Sequence, residues 1–321
     1  MIVVPEAAVA DLITAEASFD AVEAVFAAMA KGEARNFPVI REALGYVDAL
    51  YGFKSGFDRA GMTLGLKSGG YWPGNEARGL TNHQSSVFLF DPDTGRLQAV
   101  VGGNLLTALR TASASAVSIK HLARPDAKVL GIIGAGHQSA FQMRAAAATG
   151  RFEKVVAWNR TSDRLQRLAD AASDIGLPFE AVDLGQLGTA ADVIISITSS
   201  FSPILKDADV RPGTHIACMG TDTTGKQELD PAILARAIVF TDEIAQSVTL
   251  GEAQHLVSAG LIAEGDIIKI GAVINGDHPG RQRPEEVTVF DGTGVGLQDL
   301  AVARAVVDAA VAAGTAIEVD F

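Results

Sequence analysis

Residues 7–31 repeat apolar positions at helical spacing, with Val9, Leu12 and Ile13 followed by Phe19, Val22, Val25, Phe26 and Met29. That period predicts one or two amphipathic helices whose apolar stripe packs on a partner. From 37 to 101 the pattern shortens to stretches such as 62–67 and 86–90, broken by Gly, Pro and Asp turns of which Asp91-Pro92-Asp93-Thr94-Gly95 is the clearest. An antiparallel sheet is predicted there. After a helix at about 105–123, Arg124-Pro125-Asp126 closes the segment, and from Lys128 strands alternate with helices. Later strands are read at 192–197, 215–219 and 238–241, a spacing that predicts a parallel doubly wound sheet. A last helix, about 296–313, carries an alanine-rich stripe (Leu300, Ala301, Ala303, Val306, Val307, Ala310) suited to packing back on the first domain.

Length sharpens this to two domains, since 321 residues is about twice the usual ~150. The formal charge of −12 is spread without a basic tract, which argues against a nucleic-acid partner. Cys218 is the single cysteine, so no intrachain disulfide forms and a cytoplasmic protein is expected. Glu6 and Asp11 interrupt the first apolar stretch, which lacks the basic start of a signal peptide. No apolar run reaches the ~18 residues of a membrane span, so no membrane partner is expected. The six histidines are far apart and show no zinc-type spacing, so no metal is predicted.

Chemistry enters with Val129-Leu130-Gly131-Ile132-Ile133-Gly134-Ala135-Gly136-His137-Gln138-Ser139, an apolar strand, a glycine turn and the start of a helix. That order of parts binds a dinucleotide. Gly134 permits the turn, Gly136 lets the backbone approach a pyrophosphate, and small Ser139 replaces a third glycine where helix meets sheet. Glycine turns alone are common, but a second strand, 154–158, ends at Asn159, twenty residues after Ser139, where the ribose-binding residue is expected. Neutral Asn159 beside Arg160 leaves room and countercharge for a 2′-phosphate, which favours NADPH and leaves NADH open. His137 lies in the turn, where contact with the cofactor phosphates is one of two readings. His83 reads as a pocket residue or, more simply, as a satisfied structural histidine.

Four cations precede this domain in settings unlike a solvated helix face: Arg41, Lys54, Lys67 and Arg110. Lys67 follows an alternating stretch and precedes Ser68-Gly69-Gly70, which reads as a charge at a strand end. The alternative is a surface lysine with its stem on apolar neighbours. Arg110 lies on a helix of small residues, as a site residue or as a helix-face ion pair. Arginines clamp a carboxylate with forked donors, whereas a lysine is a movable charge that also transfers a proton.

These pieces resemble the ornithine cyclodeaminase/mu-crystallin family over essentially the whole chain. The match runs through Leu66-Lys67, Pro73-Gly74-Asn75, Asp93-Thr94-Gly95, Leu106-Thr107 to Ala112, the Gly134–Ser139 turn, Met219-Gly220-Thr221-Asp222 and Gly225-Lys226-Gln227-Glu228-Leu229. The resemblance implies an α/β chain: a Rossmann-type doubly wound parallel sheet (119–295) plus an α+β substrate-binding and dimerisation domain (1–118, with 296–321 packing back on it). It implies that Arg41, Lys67 and Arg110 surround a substrate α-carboxylate, that Lys67 and Asp222 are catalytic, and that the protein is a homodimer. Asp222 read without the family is equally a loop-capping aspartate. The expected cofactor contacts are Thr111, Gly134, Ala135, Gly136, His137, Gln138, Asn159, Arg160, Thr161, Thr198, Met219 and Gly220, holding NAD(P)H. Crowded cations are expected to lower the pKa of Lys67.

One departure from the family pattern concerns substrate. Thirteen residues before the site lysine, ornithine cyclodeaminases carry a glutamate for the distal amine; here the offset falls on Lys54. A cation there repels ornithine and attracts a second carboxylate, by about 2–5 kcal/mol in a poorly hydrated site. The expected activity is NAD(P)H-dependent reduction of an imino acid, with iminosuccinate to L-aspartate as the leading case. Alanine dehydrogenase or ketimine reductase comes next, then ornithine cyclodeaminase, then a non-catalytic ligand binder like some mu-crystallins.

Overall fold

Thr14 opens the first long helix: its hydroxyl accepts a hydrogen bond from Ala17 N at 3.1 Å. The apolar period at 7–31 folds as α1 (Glu6–Leu12) and α2 (Ala15–Ala30), with Val22, Val25, Phe26 and Met29 buried. The computed structural model describes residues 1–150 and 152–321, and it divides into two units, Met1–Arg110 with Val295–Phe321 and Thr111–Gly294.

In the first unit an eight-stranded sheet combines β1 (Ile2–Val4), β2 (Ala34–Asn36), β3 (Ile40–Ala43), β4 (Leu50–Asp58), β5 (Thr63–Tyr71), β6 (His83–Phe90), β7 (Leu97–Gly102) and the C-terminal strand Ile317–Glu318. The order is C-terminal strand, β1, β7, β6, β5, β4, β2, with β3 also on β4; every pairing except β1 with β7 is antiparallel. Asp91 makes the predicted turn between β6 and β7, accepting from Asp93 N and Thr94 N at 2.9 Å, and Gly95 takes a φ of +72°. Ser68-Gly69-Gly70 does not make one. The run expected to turn after Lys67 continues β5 to Tyr71, because long neighbours on both sides supply its backbone partners. Lys67 therefore lies mid-strand.

The C-terminal helix (Gly296–Ala312) packs on α2, β4 and β5. Missing side chains let it approach: a Cβ on Gly296 would lie 2.7 Å from Ser55 N, and one on Gly65 would lie 2.9 Å from Leu300 Cδ2. Asn36 Oδ1 accepts from Leu297 N at 3.2 Å, fixing the first turn. The helix α3 (Asn104–Leu122) begins on Glu6, whose carboxylate accepts from Asn104 N at 3.0 Å and Leu105 N at 2.8 Å.

The second unit holds an all-parallel sheet of β8 (Val129–Ile133), β9 (Lys154–Trp158), β10 (Phe179–Ala181), β11 (Val193–Ser196), β13 (His215–Cys218), β15 (Ile238–Thr241), β16 (Ile268–Lys269) and β17 (Thr288–Asp291), while β12 (Phe201–Leu205) and β14 (Gln227–Leu229) pair separately. Its order is β10, β9, β8, β11, β13, β17, β15, β16, so the chain winds one way from β8 and then the other. This is the expected doubly wound fold. Ligands bind such sheets beyond the carboxyl ends of the strands where the winding reverses, and the glycine turn follows β8 at that point. Among the described residues no helix is long and apolar enough to cross a membrane.

Candidate active site

Register puts three of the four expected site cations, Arg41, Lys54 and Lys67, on one face. Lys54 lies directly opposite Lys67, and Arg41 is opposite Gly52, two residues from Lys54 on the same side of the pleat. The thirteen-residue offset is thus a cross-strand pair. Arg41 lies on an exposed strand and Lys54 is half-buried, while Lys67 and Arg110 are only 6% exposed, which excludes the surface reading of Lys67.

Burial of two cations needs a counter-ion, and Asp299, itself 0% exposed, supplies it. Its Oδ1 accepts from Lys67 Nζ at 2.8 Å and from Arg110 Nε at 2.9 Å, and Gln298 Oε1 accepts from Arg110 Nη1 at 3.0 Å. Thr107 Oγ1 accepts from Lys67 Nζ at 3.3 Å. Asp299 Oδ2 and Gln298 Nε2 are buried with no hydrogen-bond partner. Neither residue stood out in the sequence. The signal was there: Gln298-Asp299 interrupts Gly296-Leu297 and Leu300-Ala301 in the first turn of an otherwise apolar helix.

This setting reshapes the acids and bases. Burial brings the Lys67 ammonium down to about 7; Arg110 and Lys54 add to the fall, and Asp299 opposes it. The direction matches the crowding expectation, although burial is the larger cause. Burial works against an ionised Asp299, yet Arg110 and then Lys67 hold its carboxyl below the usual range. His83 shares the face of Lys67, and burial together with Lys67 and Arg110 lowers it to about 3, so it is neutral at ordinary pH.

In the second unit, Gly134 takes a φ of +106°, where a Cβ would meet Ile197 O at 2.7 Å and Thr198 Cγ2 at 3.0 Å. A Cβ on Gly136 would meet nothing within 4 Å, leaving open space beside the backbone as a pyrophosphate requires. Ser139 is fully buried at the start of α4 (Ser139–Ala147), and its hydroxyl donates to Gly136 O at 2.7 Å. The residues present fit a dinucleotide. Asn159 Oδ1 accepts from Ala135 N at 3.0 Å and its Nδ2 donates to Thr161 O at 2.7 Å, so this side chain also braces the turn. His137, Arg160 and Thr161 are exposed, Ala135 and Thr111 are buried, and Gln138 is intermediate.

Asp222 pairs with Lys226, whose Nζ is 2.8 Å from Oδ1 and also donates to Gly220 O at 3.2 Å. Behind this loop stand three buried carboxylates that sequence reading did not connect: Glu228, Glu252 and Asp291. Glu228 Oε1 accepts from Ser196 Oγ, Thr198 N and Thr198 Oγ1, each at 2.7 Å, and its Oε2 accepts from Gly220 N at 3.0 Å. Glu252 accepts from Glu228 N, Leu229 N and Thr221 Oγ1; Asp291 accepts from Glu252 N, Ala253 N and Ser247 Oγ. Burial raises all three, Glu252 to about 8 and Asp291 to about 7.

The fold, the dinucleotide turn and the cation face define a class. The chain belongs to the ornithine cyclodeaminase/mu-crystallin family, matched over residues 2–314. It is 66% identical over 321 residues, 100% of both chains, to the iminosuccinate reductase of Paracoccus denitrificans (strain Pd 1222). The crystal structure of that Paracoccus denitrificans enzyme in complex with NAD+ matches with a TM-score of 0.96, covering 100% of this chain and 99% of the other at 66% identity. An archaeal alanine dehydrogenase, a dimer with bound NAD, matches with a TM-score of 0.93 at 31% identity, covering 100% of this chain and 99% of the other.

Proposed function

We propose that this protein is an NADH- or NADPH-dependent oxidoreductase that reduces the C=N bond of a small imino acid, and that the substrate is iminosuccinate, reduced to L-aspartate. The observation that carries the substrate is Lys54 directly opposite Lys67, two cations at one level of a sheet face with Arg110 held beside Lys67. Such a face suits two carboxylates and repels a distal amine. Identity of 66% to an iminosuccinate reductase supports the same reading.

Lys67, Arg110 and Arg41 hold the α-carboxylate, and Lys54 takes the second one. The bound nicotinamide supplies a hydride to the imine carbon. Lys67 Nζ holds the proton for the imine nitrogen; a group titrating at about 7 serves as both acid and base near neutrality. Asp222 stabilises the positive charge of the protonated imine. Gly134, Ala135, Gly136, His137 and Gln138 hold the pyrophosphate, Asn159, Arg160 and Thr161 the adenosine ribose, and Thr111, Thr198, Met219 and Gly220 the rest of the dinucleotide. The first unit serves as the substrate-binding and dimerisation domain of a cytoplasmic homodimer. Ile40, Leu44, Tyr46, Tyr71 and Leu80 of that unit are exposed, Tyr46 by 90%, and offer apolar area to a second copy. Light scattering that returns a single 33.3 kDa chain would overturn the dimer.

The substrate is tested by following NADH and NADPH absorbance with the ammonium imines of oxaloacetate and pyruvate. The four-carbon imine is expected to win in kcat/KM by about 10²-fold or more, because a monocarboxylate brings no second carboxylate to Lys54, and Lys54→Glu should collapse that ratio. Preference for pyruvate imine would make the protein an alanine dehydrogenase. Proline formed from ornithine without net loss of NADH would make it a cyclodeaminase, and tight binding without turnover a ligand-binding protein.

A further inference from the structure

Glu228 touches four donors with one carboxylate: the hydroxyl of Ser196 at the end of β11, the N–H and hydroxyl of Thr198 in the loop after it, and the N–H of Gly220 in the loop after β13. Thr198 lies two residues beyond the end of β11 and Gly220 two residues beyond the end of β13, at the edge where a doubly wound sheet binds its ligand. Both loops adjoin the dinucleotide turn. Thr198 Cγ2 lies where a Cβ on Gly134 would be 3.0 Å away, and a Cβ on Gly220 would be 2.2 Å from Thr198 O and 2.7 Å from Glu228 Cδ. The turn, Thr198, Glu228 and Gly220 therefore form one unbroken run of contacts.

We propose that Glu228 is the positioning residue of the cofactor platform: its carboxylate binds the loops after β11 and β13 to each other beside the glycine turn, and so sets affinity for the dinucleotide without touching it. The inference rests on the reading of this unit as the NAD(P)H site. A backbone N–H on each oxygen demands a side chain with two acceptor oxygens, and a carboxyl group is the one that supplies them. Glutamine cannot replace it. Hydroxyls of Ser196 and Thr198 can rotate to accept from an amide nitrogen, but the backbone N–H groups of Thr198 and Gly220 cannot, so whichever way Glu228→Gln turns, one loop loses its anchor. Aspartate keeps the carboxyl group but is shorter by one bond, about 1.5 Å, and loses the reach to one of the two loops. Support comes from behind, since Glu252 grips the backbone of Glu228, and Asp291 grips that of Glu252.

The test uses the full-length chain. Kd for NADH and NADPH is measured by nicotinamide fluorescence in wild type, Glu228→Gln and Glu228→Asp, with melting temperature and the imine KM at saturating cofactor recorded alongside. Both variants are expected to raise the Kd of both cofactors about tenfold or more while the imine KM stays within about threefold. A merely structural role would lower the melting temperature and the active fraction and leave Kd unchanged. Either variant, folded and binding NADH as the wild type does, overturns the proposal on its own. A wild type that binds neither cofactor overturns the dinucleotide reading, and this inference with it.

Discussion

Lys67 is a charge made conditional by its surroundings. Two cations and burial push its proton off, and a single aspartate holds it on, so Asp299 decides how much ammonium exists near neutral pH. Asp299→Asn keeps an oxygen for Lys67 and Arg110 but removes the opposing charge, and the lysine's pKa should fall further below 7. If reduction needs protonated Lys67, wild-type kcat/KM declines as pH rises through about 7, and in the variant that decline begins at lower pH. Expressing the result as variant over wild type cancels the pH dependence of imine formation. Superimposable profiles would remove Asp299 from the titration of Lys67. The variant is also expected to be less stable, by as much as about 3–5 kcal/mol, since two buried cations lose their counter-ion.

At the scale of elements, what was legible followed from local period and local spacing. The dinucleotide turn could be read because strand, glycines and helix are contiguous; Lys54 was singled out only through the family resemblance, and its place opposite Lys67 comes from the β4–β5 register. Two other features were hidden. Gly69 and Gly70 look like a turn by composition, yet β4 and β6 hold them in a strand, where a Cβ would be 2.4 Å from Gln84 O and 1.9 Å from Leu50 O respectively. Asp299 meets Lys67 from a helix whose sequence advertises only an alanine stripe, and no local pattern encodes a partner 232 residues away. Asn159 belongs between these cases: its position was legible, while its bracing of Ala135 and Thr161 was not. Arg160 lies exposed between Asn159 and Thr161, in the loop after β9. Arg160→Ala should therefore raise the NADPH Kd about tenfold or more, the scale of a lost charge-assisted contact, and leave NADH unchanged. Equal losses for both cofactors would show that Arg160 does not read the 2′-phosphate.

For the molecule as a whole, the two units solve the problem of buried charge in opposite ways. The first neutralises cations with a carboxylate, whereas the second satisfies carboxylates with N–H and hydroxyl groups. The second solution has a kinetic consequence. Backbone N–H groups of Thr198, Gly220, Glu228, Leu229, Glu252 and Ala253 all end on just three side chains, although most of them belong to loops or loop edges. Loop amides ordinarily exchange their hydrogens with solvent through small local openings. None of the six can open without leaving a buried carboxyl group short of a donor, so in deuterated buffer they should exchange late and together, at the pace of the amides in β8 and β11. Fast, independent exchange at Thr198 and Gly220 would mean that the loops breathe separately and that the three carboxylates do not act as one unit.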